Sequence, residues 1–260
     1  MSAVHPAQKT ARVIALVNQK GGVGKTTTAV NLGASLALLG RRVLVVDADP
    51  QGNTTTGFGV DKRAVERDVY HVLLHDTPIA DVVLQTDVEN LALVPATLNL
   101  AGAEIELVAA LQRELRLKAA LRPALHAYDD ILIDCPPSLG LLTINALTAA
   151  NELIIPVQAE YYALEGLTQL VGIVRRVKEG LNPDLVIRGV LITMFDGRTK
   201  LAGEVLEEVN RYFPDRVFQT QIPRNIRLSE APSYGKPAIL FDVKSRGAQA
   251  YLSLAKELAI

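Results

Sequence analysis

The sequence predicts an α/β fold: a mostly parallel, twisted β-sheet flanked by helices on both faces. Three observations carry that prediction. Short apolar runs without polar alternation recur, as in Val13–Val17, Val43–Val46 and Ile131–Ile133, and such strands suit burial on both sides. Segments with apolar residues at helical spacing separate these runs, so strand and helix alternate. Hydrophobic residues make up 49% of the 260 and charged residues 21%, enough to close a sizeable core.

The polar residues 1–10 read as a short tail ahead of a single domain spanning 11–260. Val13–Val17 forms the first strand and runs into a glycine-rich turn. A helix follows over Thr27–Leu39, with Gly40 as its C-terminal stop. Arg42–Asp47 is the second strand, and residues from Gly52 to about Asp87 are irregular and partly helical. Leu91–Pro95 is a short strand. Glu104–Leu121, rich in leucine and alanine, has helical propensity throughout. Asp130–Asp134 is a strand ended by Pro136 and Pro137. Leu141–Ala150 is helix and Glu152–Val157 strand. A helix over Leu164–Glu179 carries Arg175, Arg176 and Lys178 near its negative dipole end. Val186–Phe195 is strand, Leu201–Tyr212 helix, Val217–Ile222 strand and Gly247–Leu258 a closing helix. In that last helix Ala248, Tyr251, Leu252, Ala255 and Leu258 form the core-facing stripe.

Composition excludes several functions. A net charge of −1 gives no global attraction to nucleic acid or membrane, so any polyanion site is a local patch. The single cysteine, Cys135, allows neither an internal disulfide nor an all-thiolate cluster and points to a reducing cytosol. It follows Asp134 at a buried strand end and reads as a small core residue. His5, His71, His75 and His126 lack metal-ligand spacing. The longest uncharged stretch, Cys135–Asn151, holds two prolines and Asn145 and is too short and polar to span a bilayer. A cytoplasmic protein is expected.

The most specific signal is Lys20-Gly-Gly-Val-Gly-Lys25-Thr26-Thr27, placed between a strand and a helix. Gly21, Gly22, Val23 and Gly24 let the backbone curl and turn its N–H groups inward, where the positive helix end assists in holding phosphate. Lys25 reaches the β- and γ-phosphates, the Thr26 hydroxyl holds Mg²⁺, and Thr27 meets an α-phosphate oxygen. ATP and Mg²⁺ are the cofactors this chemistry requires. Lys20 opens the loop although Lys25 already serves its phosphates; from its leading-edge position it is either an ordinary solvated lysine or one pointing toward a second molecule's nucleotide. Two later strands end in carboxylates, and ligands of open α/β sheets lie beyond those strand ends. Asp134 is expected to hold Mg²⁺ directly or through water. Asp49 is expected to orient and polarise the attacking water, and Asp47 to support Mg²⁺-bound water or the Thr26 hydroxyl.

These residues resemble the ParA/Soj-type DNA-partitioning ATPases, which carry the deviant Walker A form of the phosphate loop. The shared segments are Asn18–Thr28, Val46–Asn53, Ile133–Ser138, Pro156–Gly166 and Ile222–Ser233, and the likeness runs from about Arg12 to the C-terminus. The loop with Lys20 marks the wider superfamily; the last two segments point to the chromosomal partition branch. The resemblance implies that Lys20 crosses a dimer interface to the partner's phosphates, and that a bulky side chain at Gly21 blocks the sandwich. It implies that Met194, Pro223, Arg224 and Asn225 flank the adenine, and it maps DNA-phosphate contacts onto Arg198 and Arg227. Lys200, Lys236, Lys244 and Arg246 extend that cationic set. It further implies an ATP-bridged homodimer on double-stranded DNA at the nucleoid, no membrane, and a ParB/Spo0J-type partner that stimulates hydrolysis. No cis arginine finger or water-orienting glutamine is evident, so turnover alone is expected to be slow. Tyr161, Tyr162 and Glu165 are expected near the interface. The main alternative is a membrane-associated division-site ATPase of the same superfamily. A clustered reductase lacks the second cysteine it needs, and a small-molecule kinase lacks a legible acceptor pocket.

Overall fold

Successive residues of a strand point to opposite faces, and here both sets are apolar. Val13, Ala15, Ile131 and Ile133 pack into one hydrophobic layer, while Ile14, Leu16, Val45 and Leu132 pack into another. A sheet built this way must be covered on both sides. The structure, a computed structural model, describes residues 10–160 and 165–259. Its strands are β1 (Arg12–Leu16), β2 (Val43–Asp47), β3 (Leu84–Gln85), β4 (Leu91–Val94), β5 (Asp130–Asp134), β6 (Glu152–Gln158) and β7 (Val186–Thr193). They lie in the order β3-β4-β2-β5-β1-β6-β7, parallel except for the β3–β4 pair. The predicted fold class is the observed one.

Register brings the chemistry together. Leu16 at the end of β1 and Asp47 at the end of β2 both lie opposite Asp134 of β5. The helix after β1, Lys25–Leu38, lies so close to the sheet that a Cβ on Gly33 would meet Val45 Cγ2 at 2.9 Å. Gly40 ends that helix in the left-handed region (φ 81). The helix Arg246–Ala259 covers the same face and buries Gly247, Ala248, Tyr251, Leu254, Ala255 and Leu258. Leu254 thus takes the core place expected of Leu252. The Tyr251 hydroxyl lies 3.1 Å from that of Thr28, fastening the closing helix to the phosphate-loop helix.

Two expected elements differ. The helix predicted over Glu104–Leu121 is broken into Leu100–Glu106, a 3₁₀ turn Leu107–Ala109 and Arg116–Leu121. Gln112 lies in the left-handed region (φ 51). Asn145 occupies the break: its amide donates to the Arg113 carbonyl at 2.7 Å, and its Oδ1 accepts from Leu117 N–H at 3.1 Å. Tertiary hydrogen bonding overrides local propensity here. The strand predicted over Val217–Ile222 is reduced to isolated bridges, Val190 with Val217 and Phe195 with Pro223. The N–H groups of Gln219 and Thr220 donate instead to the Glu257 carboxylate, at 2.7 and 3.0 Å, and the ladder cannot continue. The expected start of the next helix at Leu164 lies outside the described residues, as does residues 1–9 of the expected tail; the helix is described over Glu165–Gly180.

Candidate nucleotide site and nucleic-acid groove

The loop between β1 and its helix turns on glycine: Gly22 and Gly24 take φ values of 77 and 93, a region that L side chains rarely adopt. Val23 is buried, and its carbonyl accepts the Thr193 hydroxyl at 2.8 Å, so the tip of β7 braces the loop. Gly21 is exposed, and among the described residues nothing lies within 4 Å of the place a Cβ would take. Lys25 turns inward and its ammonium donates to the Lys20 carbonyl at 3.2 Å. Burial lowers the Lys25 pKa against the opposing pull of Asp134, Cys135 and Asp49. Thr27 lies on the same helix, facing a cavity described below.

The Thr26 hydroxyl donates to Asp134 Oδ2 at 2.7 Å, and Thr54 donates to the same oxygen at 2.8 Å. The other oxygen, Oδ1, is buried with no hydrogen-bond partner among the described residues. A lone buried carboxylate oxygen beside a threonine hydroxyl, next to a phosphate cradle, fits a hard divalent cation. Such an ion would be held by Asp134 and Thr26 and would need further oxygen ligands, of the kind that phosphate and water supply. Burial raises the pKa of Asp134, and burial together with Asp134 raises that of Asp47.

Asp47 stands differently from expectation. Its Oδ2 accepts the N–H and hydroxyl of Thr55, at 2.8 and 2.7 Å, and its Oδ1 accepts Asp49 N–H at 3.2 Å. One oxygen thus fixes the Asn53–Gly57 segment and the other the Asp49 backbone, and the Thr26 hydroxyl, a candidate partner for Asp47, goes to Asp134. Asp49 is 7% exposed and accepts Gln51 N–H at 2.9 Å. Thr54 and Thr55 escaped the sequence reading. The hydroxyl run Thr54-Thr55-Thr56 after the second carboxylate segment was the available signal. Burial pushes the Cys135 thiol well up, in keeping with a core residue.

Met194, at φ 51, ends β7 one residue after Thr193 and earlier than predicted. The reversal opens a cavity of about 290 Å³ that joins Met194, Pro223, Arg224 and Asn225 to Gly24 and Thr27, with Ile222, Leu228 and Tyr251 in its wall. Asn225 Oδ1 also accepts Arg227 N–H at 3.0 Å and caps the next helix. A larger groove of about 790 Å³ lies alongside, lined by Arg198, Arg224 and Arg246 with Gln221, Gln249 and Ser253. Arg224 therefore borders both spaces. The groove gathers Arg198 and Arg246 but not Lys200, Arg227, Lys236 or Lys244. Arg198 pairs with Asp196 at 2.7 Å, Lys200 with Glu204 at 3.3 Å, and Arg227 with Glu230 at 2.7 Å and Asp242 at 3.2 Å. Arg198 holds the Asp196 carboxyl down to about 2. Lys236, Lys244 and Arg246 make no ion pair among the described residues. Tyr161 and Tyr162 lie outside the described residues, and Glu165 is described only as the first residue of its helix.

A glycine loop between strand and helix, an inward lysine and a helix-start threonine bonded to a strand-end aspartate define a P-loop nucleotide-binding protein. A model of the AAA-domain family matches residues 11–187. The chain is 62% identical over 248 residues to the sporulation initiation inhibitor protein Soj of Bacillus subtilis, covering 95% of this chain and 98% of that protein. It is 56% identical over 247 residues to the chromosome partitioning protein ParA of Myxococcus xanthus, covering 95% and 87%. Among solved structures, cobyrinic acid a,c-diamide synthase of Mycobacterium smegmatis with bound ADP and magnesium superposes with a TM-score of 0.85 at 40% identity, covering 96% and 94%. The chain belongs to the Soj/ParA family of chromosome-partitioning ATPases.

Proposed function

We propose that the chain is an ATP-driven dimerising switch that binds DNA without sequence preference and partitions chromosomes or plasmids. A ParB/Spo0J-type centromere-binding partner stimulates its hydrolysis. The observation that carries this reading is the division of labour between two lysines. Lys25 is buried and turned into its own loop, while the Lys20 side chain stands outside it, 41% exposed, where a second molecule's phosphates would meet it. ATP bridges the copies because its γ-phosphate is the contact each Lys20 shares with its partner; hydrolysis removes that contact and frees the dimer.

The chain's own residues divide the chemistry. The loop N–H groups and Lys25 hold the phosphates, Thr27 lies toward the α-phosphate, and Met194, Pro223, Arg224 and Asn225 enclose the base. Thr26 and Asp134 would hold Mg²⁺, which when bound neutralises charge on the β- and γ-phosphate oxygens. Asp49 orients the attacking water. Asp47 acts one step back, holding Asp49 and Thr55 in place. ADP and magnesium, bound in the M. smegmatis structure, are ligands of the kind this site would take.

The arginine groove supports DNA binding by phosphate contact, with little base readout. The expected result for Arg198→Glu combined with Arg246→Glu is loss of DNA retention at about 0.1 M salt, with ATP binding unchanged. Undiminished retention in a filter or gel-shift assay removes the groove from the account. A synthase role, suggested by one neighbour's name, is disfavoured by the higher identity of the partition relatives. Among the described residues no helix is long and apolar enough to cross a membrane. The exposed face of the closing helix carries one lysine, Lys256, beyond its first turn, a poor match to a basic membrane-surface helix.

One experiment tests the whole reading. Oligomeric mass and DNA retention are measured together without nucleotide, with ADP, with ATP and with a slowly hydrolysed analogue. Dimer and DNA complex should appear together, and only with the last two. DNA retention indifferent to nucleotide would sink the switch.

A further inference from the structure

We propose that Glu160 is the positioning residue for Lys20: it holds that ammonium in the single chain, and the nucleotide phosphates of a second copy must displace it for the dimer to form. The inference rests on the reading of Lys20 as a ligand to the partner's phosphates, and adds what that lysine does beforehand.

The contact is built from both sides. Lys20 Nζ lies 3.2 Å from Glu160 Oε2, across 140 residues of sequence. The carboxylate is steered by Gln158, whose amide donates to the other oxygen, Oε1, while the Glu160 N–H donates to the Gln158 carbonyl at 2.8 Å. The lysine backbone is fixed as well. Its N–H donates at 3.0 Å to Asn18 Oδ1, and the Asn18 amide donates at 2.7 Å to the Pro156 carbonyl of β6. The leading edge of the phosphate loop is thereby tied to the end of β6, and Glu160 is the anion that the β6 end offers to Lys20.

Its chemistry makes Glu160 a competitor. The ammonium has three N–H donors, so the competition is one of reach: a lysine drawn across to a phosphate on another molecule swings away from the carboxylate of its own chain. The side chains of Lys20 and Glu160 are 41% and 46% exposed, so the pair is weak and exchangeable. A triphosphate with its higher charge displaces it, whereas ADP, lacking the γ-phosphate, leaves it in place. The same pair that delays association therefore sharpens its dependence on ATP. Two such pairs open for every dimer formed, so the effect on the dimer constant is the square of the effect on one pair. For one surface pair the range is roughly 1.5- to fivefold, giving roughly two- to twenty-fivefold for the dimer.

The test uses the full chain and Glu160→Gln, which keeps the shape and removes the charge. The first measurement is acylation of lysines by a water-soluble reagent in the nucleotide-free chain, mapped by mass spectrometry. Labelling of Lys20 should rise in Glu160→Gln while labelling of surface lysines such as Lys118 stays constant. The second is the dimer dissociation constant by sedimentation with a slowly hydrolysed ATP analogue, which should fall roughly two- to twenty-fivefold in the variant, the difference shrinking at high salt. Unchanged Lys20 labelling overturns the contact. Raised labelling with an unchanged or weaker dimer overturns the exchange, the weaker dimer assigning Glu160 to the interface itself. A wild-type chain that stays single with the analogue overturns the reading of Lys20, and the exchange with it, whatever the labelling shows.

Discussion

Asp49→Ala is expected to slow ATP hydrolysis about 100-fold or more, the range for loss of a positioned proton acceptor, while the chain still takes up ATP and accumulates as its ATP-bound form. Asp49 stands two residues beyond β2. Its Oδ1 accepts Gln51 N–H at 2.9 Å and its carbonyl accepts Gly52 N–H at 2.9 Å, so a turn fixes the carboxylate. It faces Lys25 and Asp134 electrostatically, at the mouth of the phosphate loop. None of its hydrogen bonds reaches the loop, so phosphate binding survives its removal. Asp49→Asn keeps the turn and serves as the control for local structure. Single-turnover phosphate release measures the rate, and sedimentation with ATP measures the accumulated dimer. If both variants hydrolyse ATP within threefold of the wild type, water activation belongs to another group.

The readable part of the site was the part that backbone chemistry dictates. A curled N–H nest needs Gly22 and Gly24 at positive φ, and a strand-end carboxylate needs an abrupt polar residue after an apolar run; both requirements show in one chain segment. What escaped were residues whose role depends on the register between distant segments. Thr54 meets Asp134 across 80 residues, and Thr193 meets Val23 across 170. Glu160 meets Lys20 only because β6 lies beside β1. Nothing local distinguishes these side chains from solvated ones. The same holds for the basic residues: sequence gathered six in the last third of the chain, but only folding separates Arg198 and Arg246 in the groove from Lys200, Arg227, Lys236 and Lys244 outside it.

The fold divides along the same line. Central strands were legible because burial on both faces forces an unbroken apolar run. The two misread segments, 104–121 and 217–222, had the right propensity. Each lost its regular form to one distant side chain, Asn145 in the first case and Glu257 in the second. Edge strand β3, two residues long and antiparallel, has too few residues to show a period.

Asp134→Asn is expected to move activity and stability in opposite directions. Asp47 and Asp134 are fully buried neighbours in register, and burial opposes the charge on each. Asp134 Oδ1 has no hydrogen-bond partner among the described residues, and the Lys25 charge offsets only part of the cost of its burial. The amide retains an oxygen for the Thr26 and Thr54 hydroxyls but removes the buried charge and the repulsion of Asp47. The nucleotide-free variant should gain about 1 kcal/mol, a rise of roughly 2–4 °C in melting temperature for a chain of this size. Hydrolysis should fall about 100-fold, the equivalent of about 2.7 kcal/mol at 1.36 kcal/mol per decade, because a neutral oxygen no longer offsets the charge of a divalent cation. The two effects share one cause: a buried carboxylate oxygen without a hydrogen-bond partner is costly by itself and is available to a cation. Thermal melts without nucleotide and phosphate release with Mg²⁺ and ATP measure the two arms. A variant that melts below the wild type, or that hydrolyses ATP at its rate, would show that Asp134 is a structural carboxylate satisfied by its two threonines alone.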